Sequence, residues 1–194
     1  MPEGTQRELI SRRIIYMKKI FITGILVLAL GTMMLSACGG GGGTTTSPPT
    51  TAVLTLSSEV TGTIPATTTI NSYQVTVTLP AGVTVKSTNP PQTDDGVVTG
   101  AGNWAGTTAI GLYTAATTTP PQAGTVKITI GNGVGFSAGE FSIVNCDIAP
   151  GTSLTPSDFT LPTLDDATGW DSISNSTVPG LASQLTITVS VAIH

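Results

Sequence analysis

Histidine and charged residues are scarce in this chain, and catalytic and metal sites are most often built from them. His194 is the only histidine among 194 residues, and 9% of the residues are charged. Because a chain terminus is usually frayed, His194 cannot hold a Ser/His/Asp or Cys/His arrangement in a defined geometry. A zinc site made from Cys and His lacks ligands, because the chain has one histidine and two cysteines. The sequence therefore predicts a protein that is not an enzyme.

Basic residues are even scarcer beyond the start of the chain. After Cys38 there is no arginine, and two lysines, Lys86 and Lys127, stand against nine acidic residues, a formal side-chain charge of −7. Nucleic-acid binding needs several Lys or Arg side chains to displace counterions from phosphates. Nucleic acids and anionic lipid surfaces are therefore excluded as expected partners.

An N-terminal stretch has the parts of a secretory signal. Lys18–Lys19 is positive, residues 20–30 are apolar, and small residues precede a cysteine. The sequence Leu35–Ser36–Ala37–Cys38 resembles the lipobox of bacterial lipoproteins. The resemblance implies cleavage before Cys38 and attachment of fatty chains, palmitate among them, to Cys38 as a membrane anchor. By the same resemblance, Gly39 in place of an aspartate favours the outer membrane or cell surface within the cell envelope.

The boundaries of this signal raise two further points. Residues 1–16 would lengthen the positive region unusually, so we expect translation to start at Met17. An uncleaved transmembrane helix is the alternative, since residues 20–37 approach the roughly 20 apolar residues that span a bilayer. However, five consecutive glycines follow where a stop-transfer helix would place basic residues, and this favours cleavage.

Composition divides the chain into three segments. Residues 1–37 are the leader and lipoprotein signal, residues 38–51 are the lipidated cysteine with a Gly/Thr/Pro linker, and residues 52–194 form one domain. Consecutive glycines and Pro48–Pro49 keep the linker from packing. A coil of its length holds the domain roughly 20 Å from the lipid.

Alternating apolar and polar residues predict an all-β sandwich for this domain. The chain after residue 51 is rich in Thr and Val and is interrupted by Gly and Pro. Tyr73, Val75 and Val77 alternate with polar residues, which is typical of a half-buried strand. We predict strands near residues 52–56, 70–79, 83–87, 97–99, 107–113, 125–130, 140–148, 158–164 and 185–193.

The order of these strands resembles a known family. A strand ending at Leu79 runs into PAGVTVKS, GTVKITI covers residues 124–130, and GEFSIVNCDI covers residues 139–148. This order is similar to the cohesin-like branch of the carbohydrate-binding-module sandwiches. The resemblance implies a jelly roll of about nine strands that is closed by its first and last strands. It also places Cys146 in the core, where the family has an aromatic residue.

Cys146 is the one thiol that remains once Cys38 is modified. In an oxidising compartment an unpaired cysteine is safest as a small core hydrophobe. We therefore expect Cys146 to be buried and unreactive, with a reactive thiol as the alternative.

Two acidic pairs, Asp94–Asp95 and Asp165–Asp166, are the other candidates for site chemistry. Both lie in turn-like contexts, where Asp caps local amides. Carboxylates also suit calcium, and two of them roughly 5–10 Å apart can hydrolyse glycosides. Adjacent strand residues point to opposite faces, which disfavours catalysis. We interpret both pairs as solvated turn residues that need no cofactor, with a calcium site as the alternative.

Trp104 and Trp170 are the candidate ligand-binding residues. Sandwich modules that bind carbohydrate stack exposed aromatic rings on sugar faces, and both tryptophans lie in loop-like surroundings, GAGNWAGT and DATGWDSI. The alternative is that each covers an end of the sandwich. Two separated rings make a smaller platform than a sugar-binding face usually offers.

The expected function is therefore a lipid-anchored, extracytoplasmic, non-enzymatic binding or scaffolding module. Neutral Thr-rich faces, namely Gln74, Thr76 and Thr78 and a second set at Thr186, Thr188 and Ser190, suit docking of a protein through a sheet face. A carbohydrate-binding module for a surface polysaccharide and a purely structural envelope lipoprotein are the alternatives.

Overall fold

The computed structural model describes residues 48–194, which consist mainly of β-strands. Among these residues there is no α-helix, and no helix there is long and apolar enough to cross a membrane. The all-β class predicted from the alternating pattern is confirmed. The predicted signal, the start at Met17 and the lipidation site at Cys38 lie outside the described residues.

The described residues contain twelve strands, of which four are only two residues long. In chain order they are β1 Thr51–Val60, β2 Thr68–Leu79, β3 Val83–Thr84, β4 Val98–Gly100, β5 Ala109–Thr114, β6 Thr117–Thr118, β7 Pro121–Gln122, β8 Gly124–Phe136, β9 Glu140–Ile148, β10 Thr163–Asp171, β11 Ser176–Thr177 and β12 Leu185–Ile193. Three short 3-10 helices, Gly102–Trp104, Pro156–Asp158 and Leu181–Gln184, lie between strands.

The strands form two five-stranded antiparallel sheets and one separate hairpin. The first sheet has the order β12-β1-β9-β3, and β4 also pairs with β9. The second sheet has the order β11-β10-β2-β8-β5, while β6 and β7 pair with each other. Apolar side chains from both sheets meet in one core cluster. This arrangement is a sandwich of two layers that bury one face each.

Alternation along the strands separates a core face from a solvent face. On β2, Tyr73, Val75 and Val77 are buried, whereas the residues between them are partly exposed. On β12, Leu185 and Ile187 are buried and Thr186 is exposed. Since successive strand residues point to opposite sides, the polar residues of both strands lie on the outer faces of the sandwich.

One predicted strand is misplaced, because the segment expected at residues 158–164 is largely irregular. Pro156–Asp158 forms a 3-10 turn in which the N–H and hydroxyl of Thr155 donate to the Asp158 carboxylate at 2.7 and 2.9 Å. This capping holds Pro156–Asp158 in a turn, so no strand begins there. The strand begins only at Thr163 and continues to Asp171.

An aromatic cluster joins the two sheets through the middle of the core. Tyr73 of β2 stacks on Phe141 of β9 with ring centroids 4.3 Å apart, and Trp104 lies 5.3 Å from Tyr73 and 5.1 Å from Phe136. The Tyr73 hydroxyl also shares a 2.5 Å hydrogen bond with the hydroxyl of Ser58 on β1. Burial raises the pKa of Tyr73 to about 12, although the bond to Ser58 opposes this shift. The neutral phenol is therefore a fixed part of the core.

Substituting the two tryptophans separately measures how strongly this cluster stabilises the sandwich. Trp104 is 0% exposed and Trp170 is 39% exposed. We expect Trp104→Ala to lower the free energy of unfolding by about 3–5 kcal/mol because it leaves a large cavity. The matched change Trp170→Ala should cost about 1 kcal/mol or less. Urea denaturation followed by circular dichroism compares them, and equal losses would contradict the assignment of Trp104 to the core.

Candidate functional site

The structure separates the two tryptophans that the sequence pairs as candidate ligand residues. Trp104 ends the first 3-10 helix and is wholly inside the aromatic core, so it presents no ring face to a ligand. Its Nε1–H has no hydrogen-bond partner among the described residues. Trp170 lies on β10 rather than in a loop, and its side chain is partly exposed on the outer face of the second sheet. Trp170 alone of the two is placed to meet a ligand.

The first acidic pair lies in the loop between β3 and β4, as expected for turn residues. Asp94 Oδ1 accepts two hydrogen bonds from Thr88, one from its backbone N–H at 2.6 Å and one from its side-chain hydroxyl at 2.8 Å. Asp94 Oδ2 lies 3.7 Å from Lys86 Nζ. These bonds, with the backbone N–H of Thr88 first among them, lower the pKa of Asp94. Asp95 follows in the turn that Gly96 completes with a φ of +80°. Asp94 is thus occupied in closing its own loop.

The second acidic pair is not in a turn, and that interpretation is wrong. Asp165 and Asp166 lie within β10, where the pairing with β2 shifts by one residue between Leu164 and Asp166. Such a bulge places an extra residue on one strand, and here both neighbouring carboxylates are exposed. The bulge therefore overrides the alternation that would send adjacent side chains to opposite faces.

The contacts of this second pair are local. Asp165 Oδ2 accepts the hydroxyl of Thr76 at 2.7 Å and lies 3.7 Å from Lys127 Nζ. Asp166 Oδ1 accepts the N–H of Ala167 at 2.9 Å. Across residues 48–194, no three His, Cys, Asp or Glu side chains are grouped so that they could hold a metal ion.

The outer side of the second sheet is a broad and nearly neutral surface, which we call the β2 face. Its members are the outward side chains of four adjacent strands: Asp166, Thr168 and Trp170 on β10, Ser72, Gln74, Thr76 and Thr78 on β2, Thr125, Lys127 and Thr129 on β8, and Ile110, Leu112 and Thr114 on β5. Ile110 and Leu112 are 48% and 42% exposed. Polar hydroxyls thus occupy the centre of the face, and apolar groups lie at two of its sides.

Several polar groups of the β2 face have no protein partner. The side chains of Gln74, Thr78 and Thr129 accept and donate no hydrogen bond within the described part of the chain, whereas Ser72 bonds to Thr168 at 2.8 Å. Gln74 and Thr129 are direct neighbours across β2 and β8. Their hydrogen-bonding groups remain available to a partner.

A groove of about 290 Å³ lies at the Trp170 end of the β2 face. Its lining combines the tryptophan with small and polar residues: Thr69, Asn71, Gly133, Val134, Thr168, Gly169, Trp170 and Thr177. Asn71 donates through Nδ2 to the carbonyls of Asn132 and Gly133 at 3.3 and 3.4 Å. Asn71 Oδ1, although buried, has no partner among the residues described. The groove thus places an aromatic ring beside small polar side chains, while the unpaired Asn71 Oδ1 lies buried beneath its surface.

Sequence reasoning missed Asn71 and this groove because it ended the β8 strand at residue 130. The strand continues to Phe136 through Gly131, Gly133 and Gly135. Gly135 has a φ of +73°, and a Cβ there would lie 2.8 Å from Thr69. Glycine therefore allows β8 to bend closely against β2, and the spacing of these glycines is the signal that indicates the bend.

The two Thr-rich sets named from the sequence do not form one surface. Gln74, Thr76 and Thr78 lie on β2 of the second sheet, whereas Thr186, Thr188 and Ser190 lie on β12 of the first sheet. Any docking surface therefore uses one set or the other.

Comparisons with protein-family models, with curated proteins and with solved structures give no significant match to this chain.

Asp171 is a structured carboxylate that sequence reasoning did not identify. Its Oδ1 accepts the hydroxyl of Thr67 and the N–H of Ile173, and its Oδ2 accepts the N–H of Ser174 at 3.2 Å. Hydrogen bonding from Ser174 and then Thr67 lowers the pKa of Asp171 to about 2. The carboxylate therefore closes the turn after β10 and ties it to the segment before β2.

This pKa predicts a specific loss of stability in acid. Because the folded-state pKa lies below the unfolded value near 4, the charged carboxylate stabilises the fold above that value and loses its contribution as pH falls from about 4 to about 2. We expect Asp171→Asn to lower Tm at pH 7 and to reduce the fall in Tm between pH 4 and pH 2. Asp95→Asn is the charge-matched control. Equal acid slopes for Asp171→Asn and the unmodified protein would contradict the prediction.

Cys146 lies on β9 with 2% of its surface exposed, in agreement with the expected core position. Burial raises the pKa of its thiol to about 12, and the nearby charge of Asp147 adds to the shift. In a Cys38→Ala chain we expect negligible labelling by a thiol reagent at pH 8 and complete labelling in denaturant. Rapid labelling of the folded chain would show that Cys146 is accessible.

Proposed function

We propose that this protein is a lipid-anchored, extracytoplasmic and non-enzymatic module that binds a protein partner through the β2 face. The observation that carries the proposal is the set of unpaired polar groups at Gln74, Thr78 and Thr129 on a wide, nearly uncharged sheet. Specific interfaces have few charges at their centre and about one hydrogen bond per 100–200 Å². A flat face with free hydrogen-bonding groups and few charges fits that description.

The apolar side chains at the margins of the β2 face give it anchor points. Trp170 lies near the β10 side, and Ile110 and Leu112 lie on β5 at the other side. Exposed tryptophan is enriched among residues that dominate binding energy. Lys127 forms an ion pair with Asp165, which borders the face, so Asp166 is left as the one unpaired charge among the described residues of the face and a partner meets little net charge.

Membrane attachment is proposed from the lipobox residues at Leu35–Cys38, and the cell envelope, outer membrane or surface, is the proposed location. The described domain supports a tethered arrangement because β1 begins at Thr51, directly after the Gly/Thr/Pro linker.

The lipid anchor has a direct test. Cells expressing the chain and grown with labelled palmitate should yield labelled protein in the membrane fraction, while Cys38→Ala should be unlabelled and should leave that fraction. A Cys38→Ala chain that stayed fully membrane-bound would overturn the anchor.

We also propose that the sandwich is a cohesin-like jelly roll. Its support is the pairing of the first and last strands, β1 with β12, and the position of β9 beside β1 in the centre of the first sheet. The pairing of β1 with β12 agrees with the closure by first and last strands that the family resemblance implies.

The docking proposal is tested by placing charge on the β2 face. Gln74→Arg with Thr129→Arg introduces two adjacent cations where a partner would need to pack. Thr55→Arg with Ser57→Arg is the matched control on β1, at the outer side of the first sheet. We expect chemical crosslinking in intact cells to give a defined, stoichiometric adduct that the first variant loses, by at least about tenfold, and the control keeps. Equal crosslinking by both variants would reject the β2 face.

Carbohydrate binding is the second candidate, and the groove at Trp170 favours it. The exposed indole ring of Trp170 offers a stacking surface, and the threonines that line the groove beside it, Thr168 and Thr177, offer hydroxyl groups, the two elements that sugar recognition uses. Envelope polysaccharide should then quench tryptophan fluorescence, and Trp170→Ala should abolish the change while Asn103→Ala, which lies outside the groove, should not. An absence of quenching by any glycan would reject this candidate.

A further inference from the structure

β12 is the edge strand of the first sheet, and one of its sides carries unused backbone groups. His194 and Thr51 exchange both backbone hydrogen bonds, at 2.9 and 3.1 Å, and Thr61 donates to Gln184 at 2.9 Å. The pairing between these two points is continuous, from Ala52 with Ile193 to Val60 with Leu185. In an antiparallel pair every second residue bonds to the neighbouring strand. The even-numbered residues of β12 therefore bond to β1.

It follows that the odd-numbered residues direct their backbone groups away from the sheet. For Ile187, Val189, Val191 and Ile193, no backbone N–H or C=O is bonded to any residue in the range 48–194. Four consecutive sets of donors and acceptors thus line this edge. Such a row is a template for another strand.

The other edges of the sandwich are protected. β10 carries two exposed carboxylates and a bulge, and β11 pairs with its end. On β5, the carbonyl of Gly111 accepts the N–H of Thr93 at 2.9 Å, and the N–H of Tyr113 donates to Pro91 at 2.6 Å. A Cβ on Gly111 would lie 2.6 Å from Thr93, so glycine permits this cover. β3 has only two residues.

β12 has no such protection of its own, although the 3-10 helix Pro156–Asp158 and β10 lie close to parts of it without bonding to its backbone. Its sequence, LTITVSVAI, contains no charge, proline or glycine, and its register shows no bulge. Proteins commonly protect long edge strands with such features because an unprotected strand pairs with another chain. The contrast with the remaining edges indicates that β12 is kept open for pairing.

We propose that β12 pairs antiparallel with β12 of a second copy of this chain, which joins two five-stranded sheets into one. Since the outward groups belong to odd residues, two copies can align about a two-fold axis at Val189 with all of these groups facing each other. That register places Thr188 opposite Ser190 on the outer face and Ile187 opposite Val191 on the inner face. Threonine–serine and β-branched pairs of this kind stabilise neighbouring strands.

Charge permits a second copy at this edge, and the self-complementary register about Val189 favours one as the occupant. The segment after Cys38 carries a formal charge of −7, so most surfaces of two copies repel each other, but β12 carries no charge. Identical neutral strands can approach there without placing like charges opposite each other. This proposal is independent of the β2 face, which lies on the other sheet.

The association can be measured by sedimentation velocity on the full chain in density-matched detergent. We expect the mass of the protein to rise from one copy to two between about 5 and 500 µM. Thr188→Lys with Ser190→Lys should weaken association at least about tenfold, because four lysines would meet at the interface. Gln74→Lys with Thr78→Lys adds the same charge to the β2 face and should leave the dimer unchanged.

If the lysines at positions 188 and 190 affect folding, a variant with glutamates at the same positions provides an independent test of the interface. Thr188→Glu with Ser190→Glu should also be monomeric alone, and an equimolar mixture of the Lys and Glu variants should dimerise. Circular dichroism and Tm of each variant confirm folding. A wild type that stays monomeric up to about 500 µM, or variants that dimerise as well as it does, would overturn the proposal.

Amide hydrogen exchange identifies the edge directly. In dilute monomer, the amides of Ile187, Val189 and Val191 should exchange quickly while those of Thr188 and Ser190 are protected by β1. On raising the concentration, the odd-numbered amides should become protected. Odd amides already protected in the monomer would show that another part of the same chain covers β12, and odd amides still unprotected in a dimer would place its interface elsewhere. Either result would refute the proposal.

Discussion

The contact between Tyr73 and Phe141 is the one on which the rest of the sandwich depends. Tyr73 comes from the second sheet and Phe141 from the first, so their stacked rings fix the two layers against each other. The hydroxyl of Ser58 adds a directional bond from β1 to the same tyrosine. A buried phenol without a partner would cost free energy, so this bond specifies which part of β1 lies over β2. This contact therefore also fixes how the outer faces of the two sheets are placed relative to each other.

Alternation in the sequence was sufficient to predict most of the fold. Along β2 every second side chain is buried, as Tyr73, Val75 and Val77 show, and this two-residue period is typical of strands. The buried position of Cys146 on β9 is also confirmed, although that prediction came from the family resemblance and from the behaviour of unpaired thiols in an oxidising compartment. Strand ends were harder to predict. The Thr155–Asp158 cap forms a turn and the glycines of β8 let the strand bend, and neither effect changes the alternation of apolar and polar residues.

The candidate site could be predicted only in part, because it depends on departures from regular pairing. The bulge after Leu164 turns Asp165 and Asp166 to the same side, and no periodic pattern signals that shift. Trp104 and Trp170 have similar glycine-containing neighbours in the sequence, yet one fills the core and the other lies on a strand. The difference arises from the tertiary position of each segment. Local composition therefore misjudged the surroundings of these candidate residues.

The position of β1 has a mechanical consequence. β1 is hydrogen-bonded on both sides, to β12 and to β9, and the chain enters it at Thr51 from the linker side. Tension applied through residues 48–50 along the strand would load both rows of hydrogen bonds together, in shear, instead of opening them one at a time. A domain held by this end therefore resists extraction of its first strand.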